Sequence, residues 1–332
     1  MKEASYYQKI EGGFVKCLLC PRGCTIPEGK SGFCNVRKNI SGILYSLSYG
    51  NPIALNSDPI EKKPFFHFLP GSSAFSIGTF GCNLSCLNCQ NWEMSRGIPK
   101  EGDLGISPKE IVSLAFENNC KTISFTYNEP TVFFEYALDI AKLAKKSGLR
   151  TSFVSNGYIN EKPLLEISKY LDADNVDLKG FLPGFYRKVC SAELNPVLNS
   201  LLLLKKKKVH IEITNLIIPG LNDNMEDIER MCIWIKENLG RDVPLHFSRF
   251  FPMYKMENIQ ETPIKTLERA YSTAKKYLDY VYVGNVAIGK ENTFCPNCKK
   301  MLIERFGFSV AKNSIKDGKC GFCGKEISGV WK

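Results

Sequence analysis

The sequence lacks any apolar run long enough to cross a bilayer; stretches such as Leu201 to Leu204 fall far short of the roughly 20 residues required. Met1 to Ile10 is polar and carries no signal-peptide core. No internal repeat is visible at periods of about 20–50 residues, which excludes a solenoid. The expectation is a soluble, cytoplasmic protein without a membrane partner. A length of 332 residues suggests one large domain or two to three smaller pieces. With 44% hydrophobic and 23% charged residues, the chain is not wholly disordered.

Cysteine, by contrast, is plentiful at 14 residues. In a reducing compartment, clustered cysteines read as metal ligands before disulfides. That affects the charge count. Lys plus Arg is 44 against 34 Asp plus Glu, a formal +10 that assumes neutral thiols. Thiolate-bound metal centres are net negative, so much of the basic excess is local compensation, and nucleic acid is not an expected partner. The run Lys205 to Lys208 reads as a solvated helix end favouring the helix dipole.

Eleven cysteines fall in three groups: Cys17, Cys20, Cys24 and Cys34; Cys82, Cys86 and Cys89; and Cys295, Cys298, Cys320 and Cys323. Cys120, Cys190 and Cys232 are scattered and read as small buried hydrophobes. The chain divides accordingly into a cysteine-rich segment over 1–72, a core over 73–288 and a carboxy-terminal module over 289–332.

The core alternates strand and helix patterns. Strands are expected at Ala74–Thr79, Thr122–Thr126, Arg150–Val154, Asn175–Leu178, Val209–Ile213, Pro244–Phe247 and Tyr280–Val283. Ser107, Pro108 and Glu110 form a helix start with a capping box. A helical stripe runs over Phe133–Lys146 and stops at Gly148, and further helices are expected at Met225–Asn238 and Pro263–Lys275. This alternation predicts a parallel α/β sheet, either an incomplete (β/α)6 barrel or a doubly wound sheet. Both place chemistry at the carboxyl ends of strands. There the sequence collects the Cys82–Cys89 loop, Asn128 and Glu129, Ser155, Asn156 and Gly157, Asp177 and Lys179, Pro219 and Gly220, and His246 and Arg249.

Cys82, Cys86 and Cys89 are spaced C-x₃-C-x₂-C with no fourth ligand nearby in sequence. Three thiolates on one short loop suit three irons of a [4Fe–4S] cube and leave the fourth iron open. The alternative is zinc with a remote fourth ligand. Cys295-x₂-Cys298 and Cys320-x₂-Cys323, 21 residues apart, form paired knuckles and predict a Cys₄ zinc ribbon. In so small a module the metal supplies much of the folding free energy. The first group, C-x₂-C-x₃-C-x₉-C, suits zinc or an auxiliary iron–sulfur cluster, and spacing alone does not choose.

The three-cysteine loop and the strand-end motifs resemble the radical S-adenosylmethionine (SAM) superfamily, in the branch related to pyruvate formate-lyase activating enzyme. Tyr127-Asn128-Glu129-Pro130-Thr131 is similar to the family's Gly-Gly-Glu-Pro motif, with Tyr-Asn in place of the glycines. The resemblance implies that Glu129 receives the SAM amino group. Ser155-Asn156-Gly157 and Asp177-Leu178-Lys179 resemble the segments near the SAM ribose and carboxylate, and Ile218-Pro219-Gly220 the loop beside the adenine. Asn88 stands where the superfamily often has an aromatic residue, so side-chain packing on the adenine does not carry over.

Further motifs resemble the radical SAM enzyme of the AmmeMemoRadiSam system: Cys17–Cys24, Gly32–Arg37, Asp58–Lys63, Cys89–Trp92 and the ending Cys295–Trp331. The resemblance implies reductive cleavage of SAM by the cluster to methionine and a 5′-deoxyadenosyl radical, which abstracts hydrogen from a substrate. It also implies an electron donor such as flavodoxin or ferredoxin, and Memo-like and AMMECR1-like partners. Asp177 and Lys179 equally suit an ion pair closing a strand, and His246 a satisfied core histidine. No residue is assigned to act on the substrate. The alternatives are a glycyl-radical-enzyme activating enzyme and a non-catalytic zinc-binding interaction protein.

Overall fold

The computed structural model describes residues 1–97 and 105–332. An eight-stranded sheet organises it: β1 (Ala54–Pro59), β2 (Ser73–Gly78), β3 (Thr122–Phe125), β4 (Arg150–Ser155), β5 (Ala173–Asp177), β6 (His210–Ile217), β7 (Leu245–Arg249) and β8 (Val281–Gly284). Strands β2 to β8 are parallel and lie side by side in chain order. The strand order never reverses, so the doubly wound alternative is excluded. β1 pairs antiparallel with β2 at one edge, so the sheet takes a strand from the segment before residue 73.

Period-2 alternation gives the sheet two different faces. Phe75, Ile77, Ile123, Phe125, Phe153, Ile213, Leu245 and Phe247 point into the main core, where they meet the helices. These include α1 (Pro108–Glu117), α2 (Phe134–Lys146), α3 (Leu194–Lys206), α4 (Met225–Asn238) and α5 (Ile264–Ala274). The capping box at Ser107 and Glu110 is present as expected. The alternate positions carry Ser76, Ser124, Ser152, Asn175, Glu212 and His246, all buried. Against this polar face, at the amino ends of the strands, lie Ile60, Phe65, Phe68 and Leu69.

His246 departs from expectation. It was placed at the carboxyl end of its strand, but β7 runs on to Arg249 and His246 is its second residue. Its Nε2 lies 2.6 Å from Glu212, whose carboxylate also meets His210 Nε2 at 3.2 Å and accepts from the backbone amides of Phe66 and His67. His67 completes the set: Nε2 meets the Tyr282 hydroxyl at 2.6 Å and Nδ1 the Ser328 carbonyl at 2.6 Å. All three histidines therefore serve one buried carboxylate and the junction with the carboxy-terminal module. That module is a three-stranded sheet, Thr293–Phe294, Met301–Phe306 and Ser309–Asn313, with a short hairpin. Its buried Arg305 donates to the Phe66 carbonyl at 2.7 Å and lies over the Phe66 ring.

Burial lowers the His67 pKa from 6.5 to about 4, so the ring is neutral in the folded chain. The unfolded chain takes up a proton at about pH 6.5, the folded one only near pH 4, and stability is lost as pH falls through that window. Denaturant unfolding at pH 7 and pH 4 should differ by about 3 kcal/mol more in the native chain than in a His67→Phe variant. Equal pH dependence in the two chains would refute the assignment.

Candidate functional site

The loop that leaves β2 at Thr79 has no regular secondary structure before Trp92, so other elements must satisfy its backbone groups. Asn128, just after β3, does most of this. Its Nδ2 donates to the carbonyls of Phe80 (3.1 Å) and Gly81 (2.9 Å) and to Thr79 Oγ1, and its Oδ1 accepts from Thr79 N at 2.9 Å. Arg22 donates to the Asn83 carbonyl, and Arg96 Nη1 to that of Leu84 at 3.1 Å. Ser85 N and Leu87 N donate to the carbonyls of Cys190 and Val189. Gly81 has φ +91°, and a Cβ there would stand 2.5 Å from the Cys34 carbonyl oxygen. Only glycine fits, because the amino-terminal segment presses directly on the loop.

Cys82, Cys86 and Cys89 are held by this frame. Asn156 ties Cys82 to the strand ends: its Nδ2 donates to Asn83 Oδ1 at 2.8 Å and lies 3.7 Å from Cys82 Sγ, while its backbone amide donates to Glu129 Oε2 at 2.8 Å. The Glu129 carboxylate also accepts from Thr131 N and Oγ1 and is 3% exposed. Burial raises its pKa, against the pull of these hydrogen bonds and of the Lys179 charge. Lys179 Nζ contacts Asp177 at 2.8 Å. Burial disfavours the Lys179 charge, but Asp177, Cys86 and Cys190 outweigh it and raise its pKa. Ser155 Oγ donates to Asp174, a buried carboxylate whose pKa burial lifts well above the ordinary range.

Thus Cys82, Cys86, Cys89, Glu129, Asn156 and Lys179 are brought together, with Asp177 paired to Lys179. Asn128 serves the loop backbone, Ser155 serves Asp174, and His246 lies in the Glu212 network. The sequence reading missed Cys190. It ends a π-helical turn, Tyr186–Cys190, and a hydrogen bond between its free thiol and that of Cys86 is the chief cause that draws the Cys86 pKa below the ordinary range. No local motif marks it, because it lies about 100 residues from its partner in sequence.

The carboxy-terminal cysteines form a second site. Sγ atoms of Cys295, Cys298, Cys320 and Cys323 lie within 4.8 Å of one another, with Cys295–Cys323 and Cys298–Cys320 each at 3.7 Å. This is a donor set for one metal ion.

A family model described as the radical SAM superfamily matches residues 76–235. The chain is 45% identical to an uncharacterized protein of Methanocaldococcus jannaschii over 98% of this chain and 99% of that protein. It is 27% identical to the pyruvate formate-lyase-activating enzyme of Clostridium pasteurianum over 47% of this chain and 66% of that enzyme. Similarity to the (2S)-3-sulfopropanediol dehydratase activating enzyme of Klebsiella oxytoca is 24% over 38% of this chain and 39% of that one. Among solved structures, Streptococcus suis SuiB bound to S-adenosylmethionine matches with a TM-score of 0.53 at 13% identity, over 69% of this chain and 53% of that chain. That likeness is one of fold, and this chain spans about half of SuiB.

Asn128→Ala removes the donor and acceptor that serve Thr79, Phe80 and Gly81 together. The expected cost is about 3 kcal/mol, read from denaturant unfolding of the metal-free chain. An unchanged midpoint would mean that the loop supports itself.

Proposed function

The chain belongs to the radical SAM superfamily, and from that premise we propose that it cleaves SAM reductively at a [4Fe–4S] cluster held by Cys82, Cys86 and Cys89, and that the resulting radical takes hydrogen from a substrate. The sequential parallel sheet supports its reading as an incomplete (β/α)6 barrel with the site at the carboxyl strand ends. The division into 1–72, 73–288 and 289–332 is retained in this reading, with β1 lent to the core sheet.

The three-cysteine loop at the strand ends, beside the buried Glu129 carboxylate and Lys179, carries the proposal. A tetrahedral zinc ion with Zn–S near 2.3 Å draws its thiolates to about 3.8 Å of one another. Two pairs among the carboxy-terminal four stand at 3.7 Å and all four lie within 4.8 Å, which supports zinc there. Cys82, Cys86 and Cys89 lie on one loop with no fourth cysteine on it, and the Cys190 thiol approaches Cys86 from a separate turn. Three thiolates on one loop fit a cubane with one iron left open. When bound, the cluster supplies the single electron that splits SAM into methionine and a 5′-deoxyadenosyl radical.

The residues around the loop bind and orient. Glu129, anchored by Thr131 and Asn156, offers a carboxylate to the SAM amino group. Lys179 offers a cation to the SAM carboxylate and Asp177 keeps it charged. Ser155 and Asn156 flank the ribose. His246 takes no part. A low-potential donor such as flavodoxin or ferredoxin supplies the electron, and the AmmeMemoRadiSam-like motifs support Memo-like and AMMECR1-like partners. A second reading, activation of a partner enzyme by forming a glycyl radical, draws on the names of the partly matching relatives.

Anaerobically reconstituted protein, given SAM and dithionite, should yield 5′-deoxyadenosine and methionine. Cys86→Ala should abolish the reaction, whereas Cys190→Ala should retain iron and turnover, and Glu129→Gln should weaken SAM binding about tenfold, or about 1.4 kcal/mol. Absence of 5′-deoxyadenosine from iron-loaded protein would overturn the proposal; loss of iron from Cys190→Ala would overturn the three-ligand assignment.

A further inference from the structure

We propose that the carboxy-terminal module is a docking surface for single-stranded nucleic acid, built from exposed phenylalanine rings set among lysines. The inference draws on the outer surface of residues 289–332 and is independent of the SAM-cleavage reading.

Among the described residues, 14 large apolar side chains are exposed to solvent, and five of them, Phe294, Met301, Phe306, Phe308 and Phe322, fall within this module. Its own core does not use them. Cys295, Leu302, Ile303, Cys320 and Ile327 fill that core and pack on Phe66, Tyr280 and Tyr282. Phenylalanine is ordinarily among the most buried residues. Here Phe294, Phe322, Phe308 and Phe306 stand 44%, 49%, 50% and 68% exposed, which marks a contact surface.

The sheet sets their placement. Phe294 and Met301 are cross-strand partners. Met301 and Phe322 line a groove of about 300 Å³ together with Lys300, Glu304 and Lys312. Lys300 Nζ lies 5.0 Å from the centre of the Phe322 ring, and Lys312 is the cross-strand partner of Glu304, the one acid in the groove. At the far end of the strand Met301–Phe306, the turn Phe306-Gly307-Phe308 presents two further rings.

Charge selects the occupant. Averaged over the chain, thiolates offset much of the basic excess, but the excess is concentrated here. Residues 289–332 hold nine Lys and Arg against four Asp and Glu, a net +5 and half of the chain's formal +10. Arg305 is buried, whereas Lys299, Lys300, Lys312, Lys316, Lys319 and Lys325 are exposed. Protein interfaces are depleted in lysine, while phosphates are held by it. A single strand offers both partners that this surface can use: a base face to stack on each ring and a phosphate for each ammonium. A duplex keeps its base faces covered, and an acidic protein meets only the lysines.

Fluorescence anisotropy tests this with the full chain, loaded with iron and zinc, and a labelled RNA single strand of mixed sequence, about 20 nucleotides long. The single strand should bind more tightly than the same sequence as a duplex, and binding should weaken steeply with salt. Lys300→Gln with Lys312→Gln should lower the slope of log K against log salt by about 1.4, from two phosphate contacts at about 0.7 each. Phe322→Ala should weaken binding about tenfold and Phe322→Trp should restore it, with zinc content unchanged. Should Phe322→Ala lose zinc, Phe306→Ala with Phe308→Ala, on a turn that holds no cysteine, carries the same tenfold expectation. Absence of binding, a preference for the duplex, or full affinity in the phenylalanine variants would overturn the proposal. So would displacement of the RNA by polyglutamate at equal charge concentration, which would assign the surface to an acidic protein.

Discussion

A loop without regular structure that must present three thiols at fixed separations depends on donors and acceptors from outside itself. Here they come from all around: Asn128 after β3, Asn156 after β4, the Cys190 turn after β5, and Arg22 from the amino-terminal segment. Each is fixed by its own element, so the loop inherits the rigidity of the sheet. The amino-terminal segment is thus one wall of the site. Arg22 and Arg96 both lie over the ring of Phe33 while their guanidinium groups hold the Asn83 and Leu84 carbonyls, so loop and segment are joined directly.

The opposite end of the sheet is built for closure. A carboxylate as deeply buried as Glu212 requires several donors, and it has four: two backbone amides and the ring nitrogens of His210 and His246. Burial disfavours its charge, yet the two histidines hold its pKa well below the usual carboxylate range. His67 then links this centre to the carboxy-terminal module, whose Val330 amide donates to the His67 carbonyl at 2.7 Å. Cys295 and Cys320 of that module pack in the same buried cluster as Phe66, Tyr280 and Tyr282, so the cysteine knuckles are part of this junction.

Much of this was legible in the sequence, because hydrophobic alternation and helix caps are local signals. The strand positions, the capping box at Ser107 and the 225–238 helix lie where periodicity places them. The cysteine spacings foretold the compact carboxy-terminal group. What was not legible is long-range. Cys190 meets Cys86 through a turn that no motif marks, and Asp174 is a site neighbour only because Ser155 is its partner in the adjacent strand. His246 misled because strand ends blur in sequence; the strand runs two residues past the expected Phe247, which leaves His246 near its amino end.

The Tyr-Asn pair that replaces two glycines shows how such a departure is accommodated. Tyr127 has φ +70°, a conformation that costs a non-glycine residue about 1–2 kcal/mol. Its hydroxyl donates to Asp58 on the edge strand β1 at 2.6 Å, accepts from Asn56, and its ring lies beneath Lys63 Nζ at 4.3 Å. Asp58 in turn pairs with Lys62 and Lys63 at 2.8 and 2.7 Å. Gly78 completes the fit, since a Cβ there would meet Tyr127 at 2.9 Å. The Asp58–Lys63 motif and the Tyr127–Asn128 pair are therefore one device, read from two places in the chain. Tyr127 binds the edge strand to the third strand end, its neighbour Asn128 binds that strand end to the cysteine loop, and the strain at one residue is offset by contacts at both.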